Sequence, residues 1–413
     1  MNPQRLPATN MTANKTVLWI DPHLEYRSPS TKHLLYALPR LRAAGWKIEV
    51  WCLRSDASPD EVSHTFLPAP NWLGPFELFY FTMAVNLYGL WRIVARRPIT
   101  AAVIHASCGT YFGAQLISVH FVNAIWIVKQ CQLGIHSFKQ FAGLCFSLCG
   151  AVIERVAWWS PSLRKILAVS ESIAEEVRQR SPEDRVIEVL PNSYDETRFT
   201  PAARELRRAP AREELGLGAT DTVFAFLSAG HYERKGFWLA ADALAVVRSE
   251  DRRADLKFLV IGGSDSALAQ LRSQLQKRHP DFRDWIVFAG QQSRVENYLA
   301  AADAFLFPTH FETFGLAEVE AAAMGIPLLI TRHHGSEMFL KEGFNGLALE
   351  SDPELIAATI RNFLSLGASA FHRWIGRTLT RDEYASALLR EYDDYLCAFP
   401  GDPSPKISEN RRE

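Results

Sequence analysis

Two glutamates, Glu312 and Glu320, stand on either side of a Phe-Gly step in the stretch ADAFLFPTHFETFGLAEVEAAAMGIPLLIT, and the stretch reads as a place for chemistry. AFLFP predicts a short buried strand, THFETF a loop, and Gly315 to Met324 a helix closed by Gly325 and Pro327, with LLIT opening a second strand. On that helix Leu316, Val319, Glu320 and Ala323 share one face, while Glu318 lies about 200° round from Leu316. Glu320 is therefore expected to point inward and Glu318 away. A carboxylate on an apolar face needs hydrogen-bond donors, which a polyhydroxy ligand such as a ribose diol supplies. The amides of Phe314, Gly315 and Leu316 open the helix, where free N–H groups and the helix dipole favour an anion such as a diphosphate. The alternative is that Glu320 pairs with a buried Arg or Lys and Glu312 caps the helix.

Glu312 and Glu320, with Phe314-Gly315 between them, Gly325-Ile326-Pro327 after and Gly335-Ser336-Glu337 downstream, resemble the E-x7-E signature of the retaining GT-B glycosyltransferases of family 4. The resemblance implies two Rossmann-like α/β domains facing across a cleft, and transfer of a sugar from a nucleotide diphosphate sugar to an acceptor hydroxyl. It implies Glu312 beside the donor sugar, Glu320 on the ribose, and the Phe314, Gly315 and Leu316 amides toward the diphosphate. His120, at the end of the strand SVHFVN, resembles the family histidine near the donor sugar; a lone strand-end histidine is otherwise structural. In the turn SAGHYERKG, Lys235 matches the family lysine of a Gly-Arg-x4-Lys-Gly arrangement. Gly230 is followed by His231, the spacing is one residue shorter, and Arg234 is the candidate to stand in for the family arginine. The pattern is also similar to lipopolysaccharide-core sugar transferases. Gly262-Gly263-Ser264 resembles the nucleotide-side loop, although two glycines alone are a weak signal.

The elements that must position these groups follow a βαβ rhythm: strand Val17 to Ile20, helix Leu34 to Ala44, strand Ile48 to Leu53. The intervening loop has no glycine from Asp21 to His33, against the family habit, so His23, Tyr26, Arg27 or Lys32 is expected to meet the acceptor, or to form an ordinary charged surface loop. Boundaries are expected at 1–199 for an acceptor-side domain, 200–220 for a linker, 221–380 for the nucleotide-sugar domain, 381–399 for a helix returning to the first domain, and 400–413 for a disordered tail.

Composition excludes several classes. Net charge is −1 over 413 residues, which gives no reason to expect a nucleic-acid partner. Residues 1–200 nonetheless carry a net +4 and the remainder −5. Six cysteines without zinc spacing or a secretory signal predict a reduced cytoplasmic protein, with Cys145 and Cys149 in the core. No Asp-x-Asp triad is present, so no metal or other cofactor is expected beyond the donor. The apolar run Phe141 to Ile153 is too short to cross a bilayer. Trp158 and Trp159, near Arg155, Arg164 and Lys165, would suit peripheral contact with acidic headgroups, or be two core tryptophans with solvated neighbours. Partners are thus a nucleotide-sugar donor and a sugar, lipid-linked or polysaccharide acceptor. The rivals are a nucleotide-sugar epimerase or phosphorylase of similar fold and a non-catalytic subunit of a glycosylation complex.

Overall fold

Near-continuous apolar runs such as TVLWI, TVFAFL and LKFLVI are covered on both faces, the condition under which parallel strands are stable. A computed structural model describes residues 15–399 apart from 71 and 136, and it contains two large parallel sheets. The first is built from β1 (Thr16–Ile20), β2 (Lys47–Cys52), β3 (Ser63–Phe66), β4 (Val103–Ser107), β5 (Leu116–Val119), β6 (Lys165–Ala168) and β7 (Val186–Val189), in the order β3-β2-β1-β4-β5-β6-β7. The second holds β8 (Thr222–Leu227), β9 (Leu256–Ile261), β10 (Ile286–Gly290), β11 (Ala304–Phe307), β12 (Leu328–Thr331) and β13 (Gly346–Leu349), ordered β10-β9-β8-β11-β12-β13. Each order reverses beside its first strand, and the loops leaving the two strands at that point diverge to open a crevice. In the second sheet the switch lies between β8 and β11.

The helices used below are α1 (Lys32–Ala43), α2 (Glu77–Val94), α3 (Asn123–Leu133), α4 (Phe138–Trp158), α5 (Pro201–Glu214), α6 (Phe237–Glu250), α7 (Leu316–Ala323) and α8 (Arg381–Ala398). α8 opens with a Thr380/Glu383 capping box and lies on the first sheet's side: Trp19 Nε1 donates to Tyr392 Oη at 2.7 Å, and Lys15 pairs with Asp393 at 2.9 Å.

Several expectations need correction. Residues 200–220, expected as a linker without apolar period, are mostly helical, because α5 occupies 201–214. Thr200 caps that helix and Pro201 takes its first turn, while Arg204, Arg208 and Arg212, four residues apart, donate to the carbonyls of Ala301 and Ala302. Its organising stripe is arginine, so a search for apolar period passes over it. Cys145 and Cys149 are exposed, not core residues. Trp158 is core at 2% exposed, and only Trp159 faces outward; Lys165 is taken by Glu188 and Glu391, at 2.9 and 2.5 Å. The apolar run of α4 does not stop at Glu154, whose carboxylate turns inward onto Asn123. The stretch Gln140–Trp158 has 19 residues and a mean hydropathy of 1.4, long and apolar enough by length and composition to cross a membrane. The tail at 400–413 and the start at 1–14 lie outside the described residues.

Candidate active site

The loops leaving β8 and β11 are stitched together at the switch point. The backbone carbonyl of Arg234 accepts from His310 N at 2.9 Å and from Thr309 Oγ1 at 3.3 Å. Gly236, with φ 77°, allows the closest approach: a β-carbon there would collide with the Pro308 carbonyl. This seam puts Lys235 beside Glu312. The two form an ion pair, and the ammonium lies 5.1 Å from the centre of the Phe307 ring. Burial, against the pull of Glu318 and with a smaller push from Arg234, lowers the Lys235 pKa to about 8. The other oxygen of Glu312 accepts from the amide of Thr313 at 3.1 Å, so Glu312 does not occupy the amides at the start of α7.

Those amides are open. No hydrogen bond joins the N–H of Phe314, Gly315 or Leu316 to another described residue. Gly315 stands at the N-cap with φ 90°, and a β-carbon there would lie 2.9 Å from the Phe339 ring and 3.0 Å from the Glu318 carboxylate. Arg234 lies close enough to Lys235 to act on its charge. Its guanidinium has no hydrogen bond or ion pair to another described residue, and burial lowers its pKa. A half-buried cation left without a carboxylate is costly unless an anion arrives.

The remaining sites predicted from sequence fall around this cluster. Phe314 is buried. Gly230 begins the turn at φ 126°. Gly262 packs against the Ser228 carbonyl and gives its own carbonyl to Tyr232 Oη at 3.1 Å, so it buttresses the Lys235 loop from behind. His120 comes from the other domain: its carbonyl accepts from Thr313 Oγ1 at 2.7 Å, which ties it to the residue that follows Glu312. Burial lowers the His120 pKa to about 4 and the neighbouring Asn192 side chain pulls the other way, while among the described residues the buried His120 Nδ1 and Asn192 Oδ1 have no well-formed hydrogen bond. Ser170 Oγ, also from the first domain, donates to the Thr313 carbonyl at 3.2 Å.

Of the two glutamates of α7, Glu318 differs from expectation. Glu318, expected on the far face, is 0% exposed; neither oxygen has a hydrogen bond to another described residue, and His333 Nε2 is 3.2 Å away. Both sides of α7 are covered, and angular position on a helix says nothing of exposure when that is so. The Ala-rich sequence LAEVEAAA was the available signal. Glu320 does face inward, but the neighbour it finds is Lys32 of the first domain, 3.7 Å away. Burial raises the Glu320 pKa while Lys32 and Arg198 oppose it. The alternative of a buried cation partner therefore describes the present arrangement. Lys32 was one of four candidates for the acceptor in a loop that could equally be ordinary charged surface; that it reaches α7 has no signature in the sequence. Of the other residues of that loop, His23 lies between Arg54 and Glu77, and Arg27 pairs with Glu25 at 3.0 Å.

The two parallel sheets match the GT-B architecture, in which two Rossmann-like domains face a common cleft. The lipopolysaccharide-biosynthesis glycosyltransferase WaaG superposes with a TM-score of 0.65 at 16% identity, covering 92% of this chain and 95% of that one. Family models agree: residues 30–198 match "Glycosyltransferase Family 4" and residues 221–365 match "Glycosyl transferases group 1". The chain belongs to this group 1, family 4 lineage of GT-B glycosyltransferases. Among its relatives, a D-inositol 3-phosphate glycosyltransferase of Nocardia farcinica is 31% identical over 42% of this chain and 39% of its own length. A UDP-Gal:alpha-D-GlcNAc-diphosphoundecaprenol alpha-1,3-galactosyltransferase of Escherichia coli is 25% identical over 40% and 41%. The match thus spans about two fifths of the length of these relatives.

Proposed function

We propose that this chain is a retaining glycosyltransferase that moves a sugar from a nucleoside diphosphate donor to an acceptor hydroxyl. One observation carries the reading: Lys235, the unpaired Arg234 and the open amides of Phe314, Gly315 and Leu316 converge at the switch point of the second sheet. Cleaving the sugar–phosphate bond loads negative charge onto the departing diphosphate, and fixed cations and amides in a poorly hydrated crevice stabilise that charge as it grows. Lys235, with a pKa of about 8, is mostly protonated at neutral pH. Passing its ammonium from Glu312 to the diphosphate leaves the Glu312 carboxylate free for the hydroxyls of the donor sugar. His120 and Asn192 hold their unpaired polar atoms on the first-domain side of the same place. Ribose hydroxyls replace Lys32 on Glu320 when the nucleotide enters.

UDP-sugars are the first donors to test, since the galactosyltransferase relative is named for one, and its named acceptor is a sugar on a lipid diphosphate. The reading keeps the chain in the cytoplasm with peripheral membrane contact. A panel of nucleotide sugars, assayed for nucleoside diphosphate release with and without lipid-linked and polysaccharide acceptors, tests it. Acceptor-dependent release with an unchanged anomeric configuration in the product is expected. Release driven by phosphate alone makes the chain a phosphorylase, isomerisation of the donor without release makes it an epimerase, and no turnover of any donor leaves it non-catalytic.

A further inference from the structure

Helices α2 and α4 turn apolar side chains to solvent as well as to the core. In α2, Phe81, Val85 and Gly89 are buried, while Met83, Leu87, Leu90 and Val94 form a second stripe on the opposite face, with Leu87 58% exposed. α4 repeats the arrangement: Ser147, Glu154 and Ala157 face inward, and Phe141, Leu148, Val152 and Val156 run along the outside, Val152 at 64%. The rings of Phe76 and Phe79 meet Phe146 of α4 at 6.4 and 4.5 Å, joining the two helices through aromatic contacts. Water-facing apolar rows on this scale mark a contact surface.

Charge says what it contacts. Between Leu78 and Trp159 the sequence has six Lys or Arg (Arg92, Arg96, Arg97, Lys129, Lys139, Arg155) and one acid, Glu154. That acid is 5% exposed and spends its oxygens on Asn123, at 2.9 and 2.5 Å. At the C-terminal ends of the two helices, Arg97 stacks 5.7 Å from Trp91 and Arg155 4.9 Å from Trp159. Tryptophan and arginine at the edges of an apolar strip suit the headgroup boundary of an anionic bilayer. A second copy of the chain would set these cations against themselves. Nor does α4 cross the membrane here, because Ala157 and Trp158 are locked in the core and Glu154 holds α3.

We propose that the α2/α4 face lies in the interface of an anionic lipid bilayer and seats the first domain on the membrane. The surface leads to the crevice: α3, which packs on α4, begins just after His120, and its Trp126 lies 5.1 Å from the ring of Phe311, the neighbour of Glu312. Resting on the transferase reading above, this assigns the acceptor to saccharides carried on a lipid.

Flotation of the purified chain with phosphatidylglycerol/phosphatidylcholine vesicles and with pure phosphatidylcholine vesicles tests the seat itself, at low and at molar salt. The wild type should float with the anionic vesicles, less but measurably so at high salt, because apolar burial survives screening. Leu87→Glu with Val152→Glu should lower the partition coefficient on the order of tenfold or more. The same variant should keep wild-type melting and wild-type donor cleavage with a soluble acceptor. The proposal is overturned if the wild type does not float, if the double variant floats equally well, or if the wild type is a dimer by light scattering that the variant breaks. Failure of the transferase reading looks different: vesicles bind, but no donor is cleaved under any condition.

Discussion

The two sheets share one strand order, apart from a seventh strand at the edge of the first, yet their loops and outer helices are built to different ends. In the second domain the loops at the switch point bend at Gly236 and Gly315, draw backbone against backbone, and leave cations and amides facing a crevice. The corresponding first-domain loop, without glycine from Asp21 to Thr31, settles its charges close at hand: Arg27 on Glu25, and His23 between Arg54 and Glu77. What helices α2 and α4 of that domain present outward is apolar. One half is therefore a site for a small charged ligand, and the other a surface suited to whatever carries the second substrate.

The largest effect should come from the charged half. Lys235→Ala removes a group that acts on charge developing in the transition state, so kcat and kcat/KM should fall together by about 10²- to 10³-fold in steady-state assays of the purified variant. A normal kcat with a raised KM would make Lys235 a binding contact only. Arg234→Ala sharpens the picture: a comparable loss means that this arginine has taken over the place left empty by the shortened spacing, and a near-neutral result leaves the charge to Lys235 and α7.

Next in size is Glu320→Ala, which should weaken nucleoside diphosphate binding by about 1.5–3 kcal/mol in calorimetry, the usual worth of hydrogen bonds to a charged group. Lys32→Ala is the companion, since Lys32 is the neighbour Glu320 now has. If both variants bind nucleotide as tightly as the wild type, Glu320 serves only the contact between domains. Glu318 is no neutral control, being buried against the same helix start.

The smallest effect concerns the first domain. Burial raises the Glu154 pKa from 4.5 to about 7, against the pull of Asn123. The folded state then holds a proton that the unfolded chain has released, so stability falls as pH rises from about 4.5 toward 7 and levels off above it. Glu154→Gln should flatten that slope in thermal melts and gain relative stability at pH 8. An unchanged slope would mean that the carboxylate is hydrated.

How much of this was legible in the sequence depended on whether apolar pattern carried the information. Runs such as AFLFP and LKFLVI announced the strands, and the spacing of Glu312 and Glu320 across Phe314-Gly315 announced the site. α5 escaped because its period is one of arginines bonded to carbonyls. Glu318 was misplaced because a wheel gives direction but not cover. For the same reason Cys145 and Cys149 were assigned wrongly, while Trp158 fits the core reading that stood beside the membrane one: in a helix that is apolar all round, composition does not say which side meets the core. The meeting of Lys32 with Glu320 depends on how two domains sit together, which no local pattern encodes.

The central claim is that the diphosphate of the donor sits between Arg234, Lys235 and the start of α7. A crystal structure of the chain soaked with a nucleoside diphosphate tests it most directly. The account predicts phosphate oxygens within hydrogen-bond distance of Lys235 Nζ and of the Gly315 or Leu316 amide, the ribose hydroxyls on Glu320, and Lys32 displaced. A nucleotide bound elsewhere, with Lys235 still paired to Glu312 and the amides of α7 untouched, would contradict it.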